Sequence, residues 1–100
     1  MGLKVQWSES ALDDLDRALA YIAADNPEAA KRLGKKAREA TRKLKDFPDT
    51  GRVVPEIQNA AIRELIVGPF RVIYRRTQEE ARIVHIIRAE RDLDANTFGE

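Results

Sequence analysis

The sequence predicts an α+β fold in the order β-α-α-β-β-β, in which an antiparallel helical hairpin packs on one face of a mainly antiparallel sheet. In the first half of the chain, apolar residues recur at the spacing of amphipathic helices. In the second half, runs of β-branched and aromatic residues are separated by turn residues. Helices followed by a set of strands favour the α+β class. One hundred residues suit one core, so residues 1–100 are predicted to form a single domain.

The first two predicted elements are a short strand and a helix. Leu3, Val5 and Trp7 alternate with polar residues, which predicts a strand with one buried face at an edge of the sheet. Ser8 or Ser10 is expected to cap the helix that follows, because a serine side chain accepts a hydrogen bond from the first helical turn. The predicted buried stripe of this helix comprises Leu12, Leu15, Leu19 and Ile22.

A second helix follows after a short link. Asn26 is a suitable N-cap, and Pro27 fits the first helical position. Phe47 and Pro48 are predicted to end this helix, because proline does not continue one. Two helices with such a short link form an antiparallel hairpin, and Gly34 beside the seam allows close approach. The predicted seam comprises Ala30, Leu33, Ala37, Ala40, Leu44 and Phe47.

Three strands are predicted in the second half of the chain. They cover Ile62–Val67, Phe70–Thr77 and Arg82–Arg88, separated by Gly68-Pro69 and by the segment TQEEA. Consecutive hairpins of this kind form an antiparallel meander. The preceding segment PDTGRVVPE is predicted to be a loop, and one last helical turn is expected after Asp92.

The faces of these strands differ in character. Phe70, Val72 and Tyr74 share one face and form a good core, whereas Arg71 and the alternate residues share the other. Only two helices are available to cover a sheet with apolar residues on both sides. The second face is therefore expected to be apolar, rich in arginine and covered by a partner. The candidate partner-binding residues are Arg63, Arg71, Ile73, Arg75, Arg82 and Arg88.

Cross-strand ion pairing is the alternative role for these arginines. Acids are available in the same half of the chain at Glu64, Glu79, Glu80 and Glu90. Pairing with them explains individual arginines, but it leaves the alternating apolar residues of that face uncovered.

The net charge of +1 conceals an uneven distribution of charge. Residues 1–30 contain six acids and two bases, whereas residues 31–46 contain eight bases and two acids. The remainder contains eight arginines, no lysine and nine acids. Lysine mixed with arginine on a helix is typical of a solvated face. Arginines alone on strands suit bidentate contacts with carboxylate or phosphate.

Few catalytic or metal-binding arrangements fit this composition. The chain contains no cysteine and one histidine, His85, so we expect no metal and no cofactor, and a half-buried His85 with a partner. Phosphate-binding glycine loops, HExxH and nucleophile elbows are absent. A ribonuclease that uses arginine, lysine and tyrosine remains chemically possible. No apolar stretch approaches the ~18 residues that span a bilayer, so we expect a cytoplasmic protein without a membrane partner.

Several segments together resemble the RelE/ParE superfamily of bacterial type II toxins. They are VQWSESALDDLDRALAYIA, a basic second helix, FPDTGR, RELIVGPFRVIYRR and IVHIIRAERD. The most specific part is the pattern R-x-L-x-V-x-x-[FY]-R-V-I-Y-R from Arg63 to Arg75. The resemblance implies the fold predicted above and a neighbouring antitoxin whose C-terminal segment wraps around the toxin.

The RelE branch cuts mRNA on the ribosome with lysines and arginines on the sheet and a tyrosine near the C-terminus. Arg63 and Arg71 match two of these positions. Leu65 stands where a lysine is expected, Ala89 where an arginine is expected and Ala95 where the tyrosine is expected. A RelE-like site in this chain would therefore use Arg63, Arg71, Arg88 and Arg91.

The resemblance to the ParE branch is closer, because of FPDTGR, PFRVIYR and the depleted catalytic set. Members of that branch inhibit DNA gyrase by protein–protein contact and are not nucleases. The resemblance thus predicts a non-enzymatic gyrase inhibitor that a cognate antitoxin neutralises. The alternatives are a RelE-like mRNA endonuclease and a toxin-fold module that binds its antitoxin but has lost toxicity.

The partners implied by the resemblance follow from these alternatives. An acidic, amphipathic antitoxin segment is expected to fold on the toxin, by strand addition at a sheet edge or as a helix in a groove. DNA gyrase is the first expected target, and ribosome-bound mRNA is the alternative. A toxin–antitoxin hetero-oligomer is expected.

Overall fold

A computed structural model describes residues 2–89 of the chain. Within that range, five strands, two α-helices and one 3-10 turn are formed. The prediction of an α+β fold with a helical hairpin on a mainly antiparallel sheet is confirmed. The helical turn expected after Asp92 lies outside the described residues. The elements are β1 (Lys4–Trp7), α1 (Glu9–Ala23), α2 (Pro27–Arg42), the 3-10 turn Lys43–Lys45, β2 (Arg52–Val53), β3 (Ile62–Val67), β4 (Phe70–Arg76) and β5 (Glu80–Arg88).

Both helices begin at side-chain caps, as predicted. Ser8 accepts a hydrogen bond from the backbone N–H of Ala11 at 3.0 Å, and Asn26 accepts one from Ala29 at 3.1 Å. These caps satisfy N–H groups that have no partner within the helix. The two helices pack together along a seam of small residues. A methyl group added at Gly34 would lie 3.1 Å from Leu19 Cδ1, so α1 depends on the missing side chain for its close approach.

The strands form one sheet in the order β1-β5-β4-β3-β2. The three long strands make the predicted antiparallel meander, and β1 occupies an edge as predicted. β1 runs parallel to β5, its neighbour, with Lys4 opposite Glu80 and Trp7 opposite Ile83. The sequence did not predict β2, which pairs antiparallel with β3 at the other edge.

The main core lies between the helical hairpin and the sheet. Leu15 and Leu44 pack there against Val72, Tyr74 and other side chains of the sheet. Two predicted core positions are wrong, because Leu12 and Phe47 are exposed. Leu15, Leu19 and Ile22 pack in the core as predicted, but the buried face of α1 extends to Ala11 and Ala18 and leaves Leu12 at its exposed margin.

A bulge in β5 changes the faces expected from simple alternation. Ile73 lies opposite His85 and Tyr74 lies opposite Ile83, so Val84 is an extra residue between the two pairs. As a result, Ile83 and Ile86, three residues apart, both enter the main core. Strict alternation along β5 would have put Ile83 and Ile86 on opposite sides of the sheet, and the bulge removes that alternation. Arg88 follows Ile86 to the helical side of the sheet, where it lies over the ring of Tyr21.

No helix among the described residues is long and apolar enough to cross a membrane.

Candidate partner-binding site

Arg71, the central predicted arginine, is buried. Its side chain is 4% exposed, and its Nε donates to Glu64 Oε1 at 2.5 Å. Its two terminal nitrogens donate to the two carboxylate oxygens of Glu56 at 2.8 Å each, the bidentate geometry that a guanidinium favours. The hydrogen bond to Glu56 is the largest influence on the pKa of Arg71, and with Glu64 it raises that pKa although burial opposes it. Arg71 is therefore charged, and all three of its side-chain nitrogens already donate hydrogen bonds within the protein.

Glu64 completes a balanced cluster of four charges. Its side chain is fully buried, and its second oxygen accepts from Arg52 Nε at 2.5 Å. Two guanidinium groups and two carboxylates thus meet where β2, β3 and β4 adjoin. Burying Glu64 without these donors would carry a large desolvation cost. Cross-strand ion pairing, the alternative role for the arginines, is therefore present for Arg71, whose partner Glu64 is one of the four acids named for it.

A second, small core covers the face that was expected to be open. The segment between β2 and β3 folds back so that Val54 and Ile57 pack against Ile62 and Ile73. Ile73 is consequently 0% exposed, which contradicts the expectation of an apolar residue awaiting a partner at this position. The predicted loop, residues 48–56, contains the short strand β2, and the residues that follow this strand supply the third layer that two helices do not.

Arg63 lies on the opposite side of the sheet from Arg71. It pairs in register with Tyr74, a core residue, whereas Arg71 pairs with Ile66. Its Nη1 donates to the carbonyl of Gly51 at 2.9 Å and its Nε to that of Ala60 at 3.0 Å. The predicted arginines therefore do not form one surface.

Tyr74 anchors the loop that Arg63 also contacts. Its hydroxyl donates to the Pro48 carbonyl at 2.7 Å and accepts from the Gly51 N–H at 3.0 Å. Burial raises the pKa of the Tyr74 phenol, so the phenol stays protonated to a higher pH in the folded protein than in the unfolded chain. This tyrosine is a structural residue.

Arg75 and Arg82 are the predicted arginines that reach solvent on the face away from the helices. They lie directly opposite each other on β4 and β5. Arg82 is exposed and donates to Gln6 Oε1 at 3.3 Å, while Arg75 is partly exposed. Like charges opposite each other on a sheet are unfavourable by themselves. This pair concentrates positive charge at one end of the sheet.

A groove between α1 and the C-terminal half of β5, here called the α1–β5 groove, has a volume of about 600 Å³. Tyr21, Ile22 and Phe70 contribute apolar surface, and Arg17 and Arg88 contribute charge. The ring of Tyr21 is 72% exposed, and the Arg88 guanidinium lies 5.5 Å from its centroid. An exposed aromatic side chain with a cation above it is typical of binding surfaces.

Asp14 also lines the α1–β5 groove, beside the part of β5 that extends beyond the end of β1. β1 pairs with β5 only as far as Ile83, and beyond it the Ile86 N–H donates to Asp14 Oδ2 at 3.0 Å. The same carboxylate receives Arg17 Nη2 at 3.0 Å and lies 3.6 Å from His85 Nδ1. The prediction that His85 is partly buried beside a partner is confirmed.

The residues of a RelE-like site are dispersed in this structure. Arg63 and Arg71 occupy opposite faces of the sheet, and Arg88 lies over Tyr21. Leu65 packs against the main core, and Arg91 and Ala95 lie outside the described residues. Among residues 2–89, no group of three or more histidine, cysteine or acidic side chains could hold a metal ion.

Sequence reasoning missed Asp14, Tyr21 and Glu56 as members of these sites. Tyr21 directly precedes Ile22 of the predicted apolar stripe, and no local pattern shows that its ring is exposed. No local pattern marks Asp14 or Glu56, since their partners are distant in sequence. A charged residue at the centre of an apolar strand was the available signal for Glu64.

Known proteins share the sequence and the fold of this chain. Residues 5–93 match the family described as the ParE toxin of the type II toxin–antitoxin system parDE. The protein named Toxin RelE2 from Caulobacter vibrioides is 35% identical over 85 residues, which cover 85% of this chain and 90% of that protein. A solved chain from the chromosomal ParDE system of P. aeruginosa has the same fold, with a TM-score of 0.73 and 24% identity. The superposition covers 88% of this chain and 97% of that one.

The hairpin, the meander and the parallel edge strand define a toxin fold of the RelE/ParE superfamily, closer to the ParE branch. The match over residues 5–93 shows more specifically that the chain belongs to the family of ParE toxins of type II toxin–antitoxin systems.

Proposed function

We propose that this protein inhibits DNA gyrase by protein–protein contact and that a cognate antitoxin neutralises it. The dispersal of the RelE-like arginines is the observation that carries this proposal. Arg71 is enclosed by Glu56 and Glu64, and Arg63 donates to backbone carbonyls on the other side of the sheet. Two arginines of a RelE-like site are thus engaged within the protein, which supports a toxin that acts without cutting RNA.

Phosphodiester cleavage requires several groups to converge on one phosphate. Cations must stabilise the developing charge, and a proton donor or acceptor must lie within about 3 Å of the reacting oxygens. An arginine saturated by two carboxylates contributes little positive potential to a phosphate. Tyr74 is buried and holds a loop, so it does not serve as the proton donor.

The α1–β5 groove is the proposed docking site of the antitoxin segment. An amphipathic segment would place apolar side chains against Tyr21, Ile22 and Phe70, and its acids near Arg17 and Arg88. The apolar contacts would supply most of the affinity, and the charges would orient the segment. The complex formed in this way is a toxin–antitoxin hetero-oligomer.

The gyrase proposal is tested with purified components. The protein should block supercoiling of relaxed plasmid by gyrase and leave mRNA intact on programmed ribosomes. Codon-linked mRNA cuts together with unaffected gyrase would replace the proposal with its alternative, a ribosome-dependent mRNA endonuclease, to which the name of the relative Toxin RelE2 points. Absence of both effects, with antitoxin binding retained, would indicate a module that has lost toxicity.

The docking site is tested by calorimetry with the antitoxin's C-terminal peptide. The double variant Tyr21→Ala/Arg88→Ala should weaken binding at least about tenfold, equivalent to about 1.4 kcal/mol. Phe47→Ala/Lys45→Ala is the matched control, because it also removes an exposed aromatic ring and a neighbouring cation, but outside the groove. Equal losses in the two variants would rule out the groove as the docking site.

A further inference from the structure

The solvent side of α2 carries a dense row of positive charge that neither the core nor the groove uses. This surface, here called the α2 basic face, comprises Lys31, Arg32, Lys35, Lys36, Arg38 and Arg42, all of them exposed. Two exposed acids, Glu28 and Glu39, lie on the same helix. The hairpin is therefore dipolar, because three of the four exposed charged residues of α1 are acidic, at Glu9, Asp13 and Asp16.

Four of these bases form one straight row along the helix. Lys31, Lys35, Arg38 and Arg42 follow at intervals of four, three and four residues, which place side chains one above another on one side of a helix. At about 1.5 Å per residue, the row extends over roughly 16 Å. Duplex DNA carries about one negative charge per 1.7 Å of its axis, so several phosphates lie within reach of a row of this length.

The bases of this row are not occupied by internal partners. Lys31 Nζ lies 3.8 Å from Glu28, but both side chains are more than 70% exposed, so that pair is weak. Among residues 2–89, no carboxylate lies within ion-pairing distance of Lys35, Arg38 or Arg42. This contrasts with Arg71, whose charge is matched inside the protein.

The composition of α2 indicates the kind of partner. A stable protein interface needs apolar or aromatic anchors at its centre, and the exposed large apolar side chains of the described chain all lie outside α2. Single-stranded nucleic acid is held by stacking on aromatic rings, and α2 contains none. A duplex backbone requires only cations at a suitable spacing.

We propose that the α2 basic face binds the phosphate backbone of duplex DNA without sequence preference. The choice of DNA over duplex RNA rests on the proposed function, because gyrase holds duplex DNA while it acts. α1 and its acids would face away from the duplex. Contact with DNA at α2 would raise the local concentration of the toxin beside a DNA-bound target and would leave the α1–β5 groove accessible.

The inference is tested by fluorescence anisotropy with the full chain and a short labelled DNA duplex of mixed sequence. The triple variant Lys35→Gln/Arg38→Gln/Arg42→Gln is compared with the control Lys4→Gln/Lys45→Gln/Arg82→Gln. Each variant loses three positive charges, which changes the formal net charge from +1 to −2, and all six side chains are exposed. Both are measured between about 50 and 200 mM salt.

The α2 variant should bind DNA at least about tenfold more weakly than the parent, and the slope of log affinity against log salt should fall by about 2.7 for three lost phosphate contacts. The control should stay within about threefold of the parent at the same salt. If both variants lost DNA affinity equally, the loss would be due to net charge and not to the α2 basic face, and the inference would be overturned. It is also overturned if the parent binds polyglutamate but not DNA, which would indicate an acidic protein partner.

Two further outcomes separate this inference from the proposed function. Duplex RNA bound as tightly as DNA would overturn the assignment of DNA as the occupant. Gyrase inhibition that survives in the α2 variant leaves the proposed function intact, while DNA binding without any gyrase inhibition by the parent overturns only the proposed function.

Discussion

The guanidinium of Arg71 donates to the carboxylate of Glu64 at 2.5 Å, and neither side chain is more than 4% exposed. Removing Arg71 takes one of two guanidinium partners from the buried Glu64 and leaves it paired with Arg52, and breaking a buried ion pair typically costs about 3–5 kcal/mol. Arg71→Ala is therefore expected to lower the free energy of unfolding by about 3–5 kcal/mol. Urea unfolding followed by circular dichroism measures this change.

Arg82→Ala is the control for that measurement, because Arg82 is an exposed arginine of the neighbouring strand. A surface change of this kind is expected to alter stability by no more than about 0.5 kcal/mol. If the two variants were destabilised to the same small extent, the charge cluster around Glu64 would not stabilise the fold.

Tyr74 is expected to make the stability of the protein fall at alkaline pH. Its pKa is raised by burial, so its contribution to stability is fully present below the unfolded pKa of about 10 and is lost as the pH rises through the higher folded pKa. Tyr74→Phe is expected to cost about 1–3 kcal/mol at neutral pH, because the Pro48 carbonyl and the Gly51 N–H lose their partner.

The difference in unfolding free energy between Tyr74→Phe and the parent should then narrow as the pH rises above about 10. Tyr21→Phe is the control, since it removes the hydroxyl of a tyrosine whose ring is 72% exposed. A difference that stays constant up to the highest pH at which the parent is folded would contradict this account of Tyr74.

Asp14 joins α1 to the exposed half of β5. Asp14→Ala removes the acceptor of the Ile86 N–H and the partner of His85, and should cost about 1–2 kcal/mol in thermal or urea unfolding. Asp13→Ala removes the adjacent, exposed carboxylate and is expected to change stability by less than about 0.5 kcal/mol. Comparable losses in both would show that the effect arises from the charge of α1 and not from the bond to β5.

Gly68 sets the turn between β3 and β4. Its φ is +57°, and an added methyl group would lie 2.8 Å from Leu33 Cδ1. Gly68→Ala should therefore destabilise the protein by at least about 1 kcal/mol. Gly34→Ala is the matched control in a helix, where the gain in helix propensity of about 1 kcal/mol opposes a milder contact of 3.1 Å with Leu19. An unchanged melting temperature for Gly68→Ala would show that this turn accepts a side chain.

Local signals were sufficient to predict most of the fold. The caps at Ser8 and Asn26, the Gly68-Pro69 turn and the two-residue period of β3 and β4 each act over a few residues, and the structure contains all of them. Leu12 was placed wrongly because the face of α1 that becomes buried depends on its angle against the sheet, which no local spacing fixes.

The candidate site was harder to predict because it depends on contacts between distant residues. The extra residue Val84 shifts the alternation of β5, and no sequence signal marks the bulge. Val54 and Ile57 cover Ile73 from a loop, and the loop composition gave no indication of that contact. The pairing of Arg71 with Glu56 follows from the same fold-back, so an arginine that resembled a docking residue in sequence is part of the interior.

The parallel pairing of β1 with β5 has a consequence for synthesis in the cell. Lys4 and Trp7 find their partners only at Glu80 and Ile83, so the N-terminal strand stays unpaired until these residues have emerged from the ribosome. Closure of such a long loop comes late in folding, because its entropy must be overcome before the contact forms. During that interval the nascent chain cannot hold the complete five-stranded sheet. Each newly made chain therefore passes through a period, before its sheet closes, in which an antitoxin already in the cell can meet it as it folds.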